Sequence, residues 1–307
     1  MAQFPSNIKN EQRPVLLAWA QQDIENRLGF KGGRYTDVNH LLAFLMGALL
    51  SGILYGLVIF VFSHIAWLAP VTTIYMRPSN QFAVIPATLF LFWGSSILIL
   101  KNIKLKFQRR ALTLSAVPVE PEFVLNETTA ATVLARVHAL VDHPRHFVLL
   151  NRIDRALSNF RNIGQVNDVS AILRAQAEND EDQVASSYTI VNGLVWAVPV
   201  LGFIGTVLGL SLGIGRFTET LQAGGDITMI RNSLQGVTSG LATAFEATLV
   251  ALTFTLILQL GITFQQKREM TFLDECNDYC HLHIVSKLRL ADRKPAPLET
   301  NTPESKS

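Results

Sequence analysis

Four long blocks almost free of charge limit what this chain can fold into. Residues 38–76 contain no Asp, Glu, Lys or Arg, nor do 78–100 or 183–215, and 232–266 holds one charge, Glu246. A hydrocarbon layer of ~30 Å is crossed by about 20 apolar helical residues, so each block is long enough to span it. The charged fraction of 16%, against roughly 25% in an average soluble domain, points the same way. The expected fold is an all-α polytopic membrane protein with four transmembrane helices and long cytoplasmic helical extensions.

Composition closes other routes. Cys276 and Cys280 are the two cysteines, too few and too close together for a disulfide framework. A net charge of +2 over the whole chain makes no electrostatic case for a nucleic-acid partner. No Ser/His/Asp or Cys/His arrangement has a base in reach, so an enzyme is not expected.

Lys and Arg in short flanks stay on the cytoplasmic side, and they set the topology. Lys9, Arg13, Arg27, Lys31 and Arg34 precede the first span, Arg77 alone follows it, and Lys101, Lys104, Lys106, Arg109 and Arg110 follow the second. The first hairpin therefore points outward, a loop over 216–231 closes the second hairpin on the same side, and both termini are cytoplasmic. The chain divides into an amphipathic segment 1–37, a lipid-facing hairpin 38–100, a cytoplasmic helical domain 101–182, a second hairpin 183–266, a cytoplasmic helix 267–294 and a disordered tail 295–307. Within 101–182, Val133, Leu134, Val137 and Leu140, then Leu149, Leu150, Ile153 and Leu157, recur at helical steps with a break at His143-Pro144. From Val166 one continuous helix is expected to run into the third span.

The last two spans differ from the first two. Gly202, Gly205, Gly209 and Gly213 line the third, where the absence of side chains lets another backbone approach. Pro199 removes one helical hydrogen bond just before them. The fourth span carries Gly236, Ser239, Thr243 and Glu246 as a polar stripe beside a small-residue face of Gly240, Ala244, Ala247 and Ala251. Counted from Arg216 and Arg231 at ~1.5 Å per residue, Thr206 and Thr243 fall at one level near mid-membrane. A carboxyl at that depth must be protonated, paired or hydrated. Glu246, Ser239, Thr206 and Thr243 are thus the candidate ion-pathway residues; packing glue between helices is the alternative for the hydroxyls, and an inter-subunit hydrogen bond for Glu246. Cys276, Cys280 and His283 share one helix face with metal-like spacing, but buried thiols explain it more simply, so no metal is expected. Asp142, His143 and His146 read as a solvated helix junction.

The run Pro199-Val-Leu-Gly-Phe-Ile-Gly-Thr-Val-Leu-Gly209, followed by Gly240-Leu-Ala-Thr-Ala-Phe245, resembles the core signature of the MotA/TolQ/ExbB proton-channel family. The four-span arrangement is similar to the MotA branch. The resemblance implies a stator-like complex of the bacterial inner membrane that converts proton-motive force into movement. It also implies a homo-pentamer around a dimer of a single-span MotB/TolR/ExbD-like partner that supplies a membrane Asp. By the same likeness Thr206 and Thr243 line the ion path, and Pro199, Gly202, Gly205, Gly209, Gly213 and Gly240 serve coupling and packing. The ion is expected to be H+ in preference to Na+, although hydroxyl rings occur with either, and no cofactor is implied. A structural scaffold whose Gly and Thr faces serve oligomer packing alone is the alternative.

Overall fold

The computed structural model describes residues 17–60, 64–114, 116–118, 123–158, 166–222 and 227–288. The tail 295–307 and the first sixteen residues of the N-terminal segment lie outside them. Ten α-helices are described: α1 (Trp19–Gln22), α2 (Ile24–Arg27), α3 (His40–Phe60), α4 (Ala69–Met76), α5 (Gln81–Leu112), α6 (Glu127–Leu140), α7 (Val148–Ser158), α8 (Val166–Ser186), α9 (Thr189–Gln222) and α10 (Ile227–His283). Among the described residues there is no strand, only two isolated parallel bridges, Leu17 with Val141 and Leu125 with Leu288. Four helical stretches, containing α3, α5, α9 and α10, are long and apolar enough to cross a membrane.

The charge-free blocks sit where these four helices run, but the helices extend well past the blocks. α9 continues through Arg216 to Gln222 and α10 starts at Ile227, so the expected loop 216–231 is largely helical. Neither Gly nor Pro interrupts Arg216 to Gln222, and nothing there stops a helix already under way. The continuous helix expected from Val166 is broken once, at Ser187 and Tyr188. There the Tyr188 amide bonds to the Ala185 carbonyl, and the Ser187 hydroxyl turns back to the Val184 carbonyl at 2.6 Å. Such short-range side-chain bonds compete with the helical ladder. α9 carries Pro199 without leaving the helical conformation.

Of the four spans, α5 is the most buried: half of its most apolar window is covered, against 28% or less for the others. It packs on α3 on one side and on α9 and α10 on the other. A Cβ on Gly47 of α3 would meet the Trp93 backbone at 2.6 Å, while Gly94 faces Leu258 and Leu194. The expectation of a wholly lipid-facing first hairpin thus fits α3 better than α5.

Below the spans a helical head closes around the end of α10. Asn126 caps α6 in a reciprocal capping box with Thr129. Pro144 starts a short 3-10 turn that separates α6 from α7. Val133, Val137, Leu149, Leu150, Ile153 and Leu157 are buried together with Phe272, Leu273, Cys276 and Cys280 of α10.

Candidate functional site

The small residues of α9 face α10 of the same chain. A Cβ added at Gly202 would lie 2.6 Å from the Ala251 Cβ, and one at Gly205 2.7 Å from the Ala247 Cβ. At Gly209 and Gly240 the two backbones touch directly. A Cβ on Gly209 would stand 2.9 Å from the Gly240 carbonyl oxygen, and one on Gly240 2.6 Å from the Gly209 carbonyl oxygen. Gly213 meets Val237 one turn further on. The glycine face is therefore occupied within the protomer, and the Thr248 hydroxyl adds a bond across it to the Gly202 carbonyl at 3.4 Å.

Glu246 is paired. Its Oε2 lies 3.0 Å from Arg77 Nη1 and accepts from Asn80 Nδ2 at 2.8 Å. Arg77 Nη1 also donates to the Thr243 hydroxyl at 3.1 Å, and that hydroxyl donates to the Ser239 carbonyl at 2.9 Å. Arg77 and Asn80 occupy the short link between α4 and α5, so this cluster ties the turn of the first hairpin to the first half of α10. Thr243 is buried beneath the guanidinium, whereas the side chain of Ser239 is exposed.

Thr206 stands apart. Its hydroxyl donates to the Phe203 carbonyl of its own helix at 2.6 Å, and it lies on the open side of α9 between Phe203 and Leu210. The contact of Gly205 with Ala247 sets the register, so Thr206 is level with Glu246 and Thr243 lies about one helical turn further out. Gly205 also touches Ala83, near the outer start of α5. Eighteen residues separate Ala83 from Lys101, about 27 Å of helix against a core of ~30 Å. Thr206 and Thr243 are thus level with the start of α5, about 27 Å of helix from Lys101, and not halfway along it. The tip of the α9–α10 hairpin then projects about 25 Å beyond α5. Arg216 and Arg231, from which the depth was counted, both lie inside helices.

A second polar cluster, unforeseen in the sequence, sits at the inner end. Lys101 Nζ bonds both oxygens of Glu269 at 3.2 Å, each side chain being 1% exposed. The Tyr188 hydroxyl donates to Glu269 at 3.0 Å, and the ammonium lies 4.2 Å from the Tyr188 ring centroid. One turn on, Lys104 pairs with Glu25 at 2.6 Å, pinning the N-terminal segment to α5. Deeper in the head Arg152 pairs with Asp180 at 2.7 Å, both fully buried. The flanking-charge rule counts Lys101 and Lys104 as solvated among the neighbouring Lys106, Arg109 and Arg110, which conceals their partners.

Among the described residues no group of three or more His, Cys, Asp or Glu side chains is arranged to hold a metal. Cys276 and Cys280 are buried free thiols of the head core, and His283 stacks near the Tyr279 ring at 4.5 Å.

Four apolar spans, two of them locked face to face through glycine and alanine, define a multi-pass membrane protein with a tightly packed inner hairpin. Residues 141–275, which take in α7 to most of α10, match the model of the MotA/TolQ/ExbB proton channel family. That family supplies proton channels to energy-transducing complexes. Comparison with curated proteins and with solved structures returned no match.

Proposed function

We propose that this chain is the channel subunit of a stator-like motor in a bacterial inner membrane, with both termini cytoplasmic. Five copies surround two copies of a single-span MotB/TolR/ExbD-like partner whose membrane Asp carries a proton. The observation that carries this reading is the open apolar face of the inner hairpin: Phe203 is 67% exposed on α9 and Phe245 65% on α10, inside the family-matched stretch. Among the described residues nothing covers that face, and neighbouring copies and the partner helix would cover it.

In this arrangement Thr206 offers a hydroxyl beside the exposed Phe203 of α9, where it can donate to or accept from a passing carboxyl. Neutralising the partner Asp lowers the cost of moving it past the apolar wall, and releasing the proton to the cytoplasm restores its charge. Each proton supplies about 2.3 kcal/mol per 100 mV, so several are spent per unit of work. Thr243 and Glu246, engaged by Arg77, serve as the outer anchor of the pathway rather than as a mobile relay.

The test is Thr206→Val in the complex reconstituted with its partner, in sodium-free buffer. The proton-channel reading expects normal assembly and lost ion-driven flux. Unchanged flux, or loss of assembly, favours the scaffold alternative, and flux that appears only on adding sodium overturns the choice of ion.

A further inference from the structure

We propose that the cytoplasmic head carries a binding pocket for a small soluble phosphoester, a site separate from the ion path. A cleft of about 600 Å³ opens between the loop before α3, the 3-10 turn before α7, and α7 itself. Its walls bring together Arg34, Arg145, Arg155, His146, Asn151 and Asp154. That volume falls in the range of small-molecule sites, roughly 300–1,000 Å³.

Three guanidiniums converge from three different elements. Arg155 spends one of its donors on Gln176 Oε1 at 3.0 Å, and a guanidinium carries five. Asp154, the one carboxylate among the described lining residues, is engaged by His138 Nε2 at 3.0 Å. The lining thus holds three fixed cations and one anion, an excess of two that matches a phosphate dianion. The planar guanidinium fork suits phosphate oxygens better than an ammonium does.

Two further atoms point to a ligand richer than inorganic phosphate. Asn151 is 1% exposed and donates through Nδ2 to the Tyr35 hydroxyl at 2.8 Å, while its Oδ1 is buried without a hydrogen-bond partner. His146 Nδ1 is likewise buried and unpartnered. Asn151 Oδ1 stands just behind the cleft wall, and a small movement of the side chain would present it to the hydroxyl of a sugar or glycerol carried by the ester, whereas an acceptor has no use for a phosphate oxygen.

Depth separates a soluble ligand from a lipid headgroup. Gln108 donates to the His146 carbonyl at 2.6 Å, which ties the pocket's turn to α5. Gln108 lies seven residues beyond Lys101, so with the hydrocarbon taken to end at Lys101 it stands about 10 Å below that boundary. The headgroup layer is roughly 5–8 Å thick on each side, so the cleft opens beneath it.

The experiment is calorimetric titration of the full chain in phosphatidylcholine nanodiscs with pyrophosphate and with AMP. Saturable binding of both probes is expected, weakened about tenfold for each guanidinium removed in Arg145→Gln and Arg155→Gln. Asn151→Leu should weaken AMP more than pyrophosphate, with circular dichroism confirming that each variant is folded. Binding of neither probe, or affinities unchanged in the double arginine variant, overturns the proposal. So does binding that appears only when the nanodiscs contain an anionic phospholipid and the soluble probes fail to compete.

Discussion

Arg77 Nη1 meets Glu246 Oε2 at 3.0 Å, joining the one charge of residues 38–100 to the one charge of residues 232–266. Two lone ions of opposite sign in otherwise apolar sequence have few places to go, and each removes the need for the other to find water. Asn80 and Thr243 complete the cluster, so the loop after α4 is fastened to α10 by three polar contacts. The carboxylate is held from two sides, which is why Glu246 reads as an anchor.

A charge swap tests this pair. Arg77→Glu and Glu246→Arg each place like charges together and should lower the thermal midpoint of the purified protein. The double exchange should recover most of the loss. Both side chains are about a quarter exposed, and the coupling from a full double-mutant cycle is expected at about 0.5–1 kcal/mol. Strictly additive losses would show that the two groups do not support one another.

The contact of Gly209 with Gly240 makes a sharper prediction. Alanine at either position puts a methyl against a carbonyl oxygen and must push α9 and α10 apart, at a cost of about 1–3 kcal/mol. Gly236, on the same helix, has open space where a Cβ would go. Gly236→Ala should be neutral or stabilise slightly, since alanine is the better helix former by about 1 kcal/mol. Heat denaturation in one detergent compares the three, and equal effects would contradict the described helix register.

Much of this was legible before any coordinates. The four spans followed from the charge-free runs, and the packing role of Gly202, Gly205 and Gly209 from their spacing. The burial of α5 was not legible, because a helix facing lipid and one facing protein need the same apolar side chains. Nor was the offset of Thr206 from Thr243, which depends on how far both helices continue past Arg216 and Arg231. A span ends in sequence where charge begins, whereas a helix ends where its hydrogen bonds do.

Lys101 and Glu269 form the most enclosed ion pair near the membrane boundary. Lys101→Met leaves a buried carboxylate with Tyr188 and Gln265 as its donors, and breaking such a pair costs about 3–5 kcal/mol. Replacing both partners, as Lys101→Met with Glu269→Met, removes the stranded charge and should restore most of the stability. Limited proteolysis of the N-terminal segment offers an independent readout, because Lys104 holds Glu25 one turn away. If the double variant is as fragile as the single one, the pair supplies more than mutual neutralisation.

Acid should loosen the head through His146. Its ring stacks on Trp19 with centroids 5.1 Å apart. Burial, and then the neighbouring His143, hold its imidazole below the usual histidine value; Arg34 and Lys104 act in the same direction and Asp142 opposes them. The folded state therefore favours the neutral ring, while the unfolded chain protonates near pH 6.5. The stabilisation is complete above about pH 6.5 and is lost as pH falls through the lowered value. With Trp67, Trp93 and Trp196 replaced by Phe, Trp19 is the remaining indole, and its emission should drop as pH falls below about 6.5 and the imidazolium forms against it. His146→Gln should abolish that step and flatten the pH dependence of thermal stability over the same interval. A step of equal size in the His146→Gln protein would assign the acid sensitivity to another group.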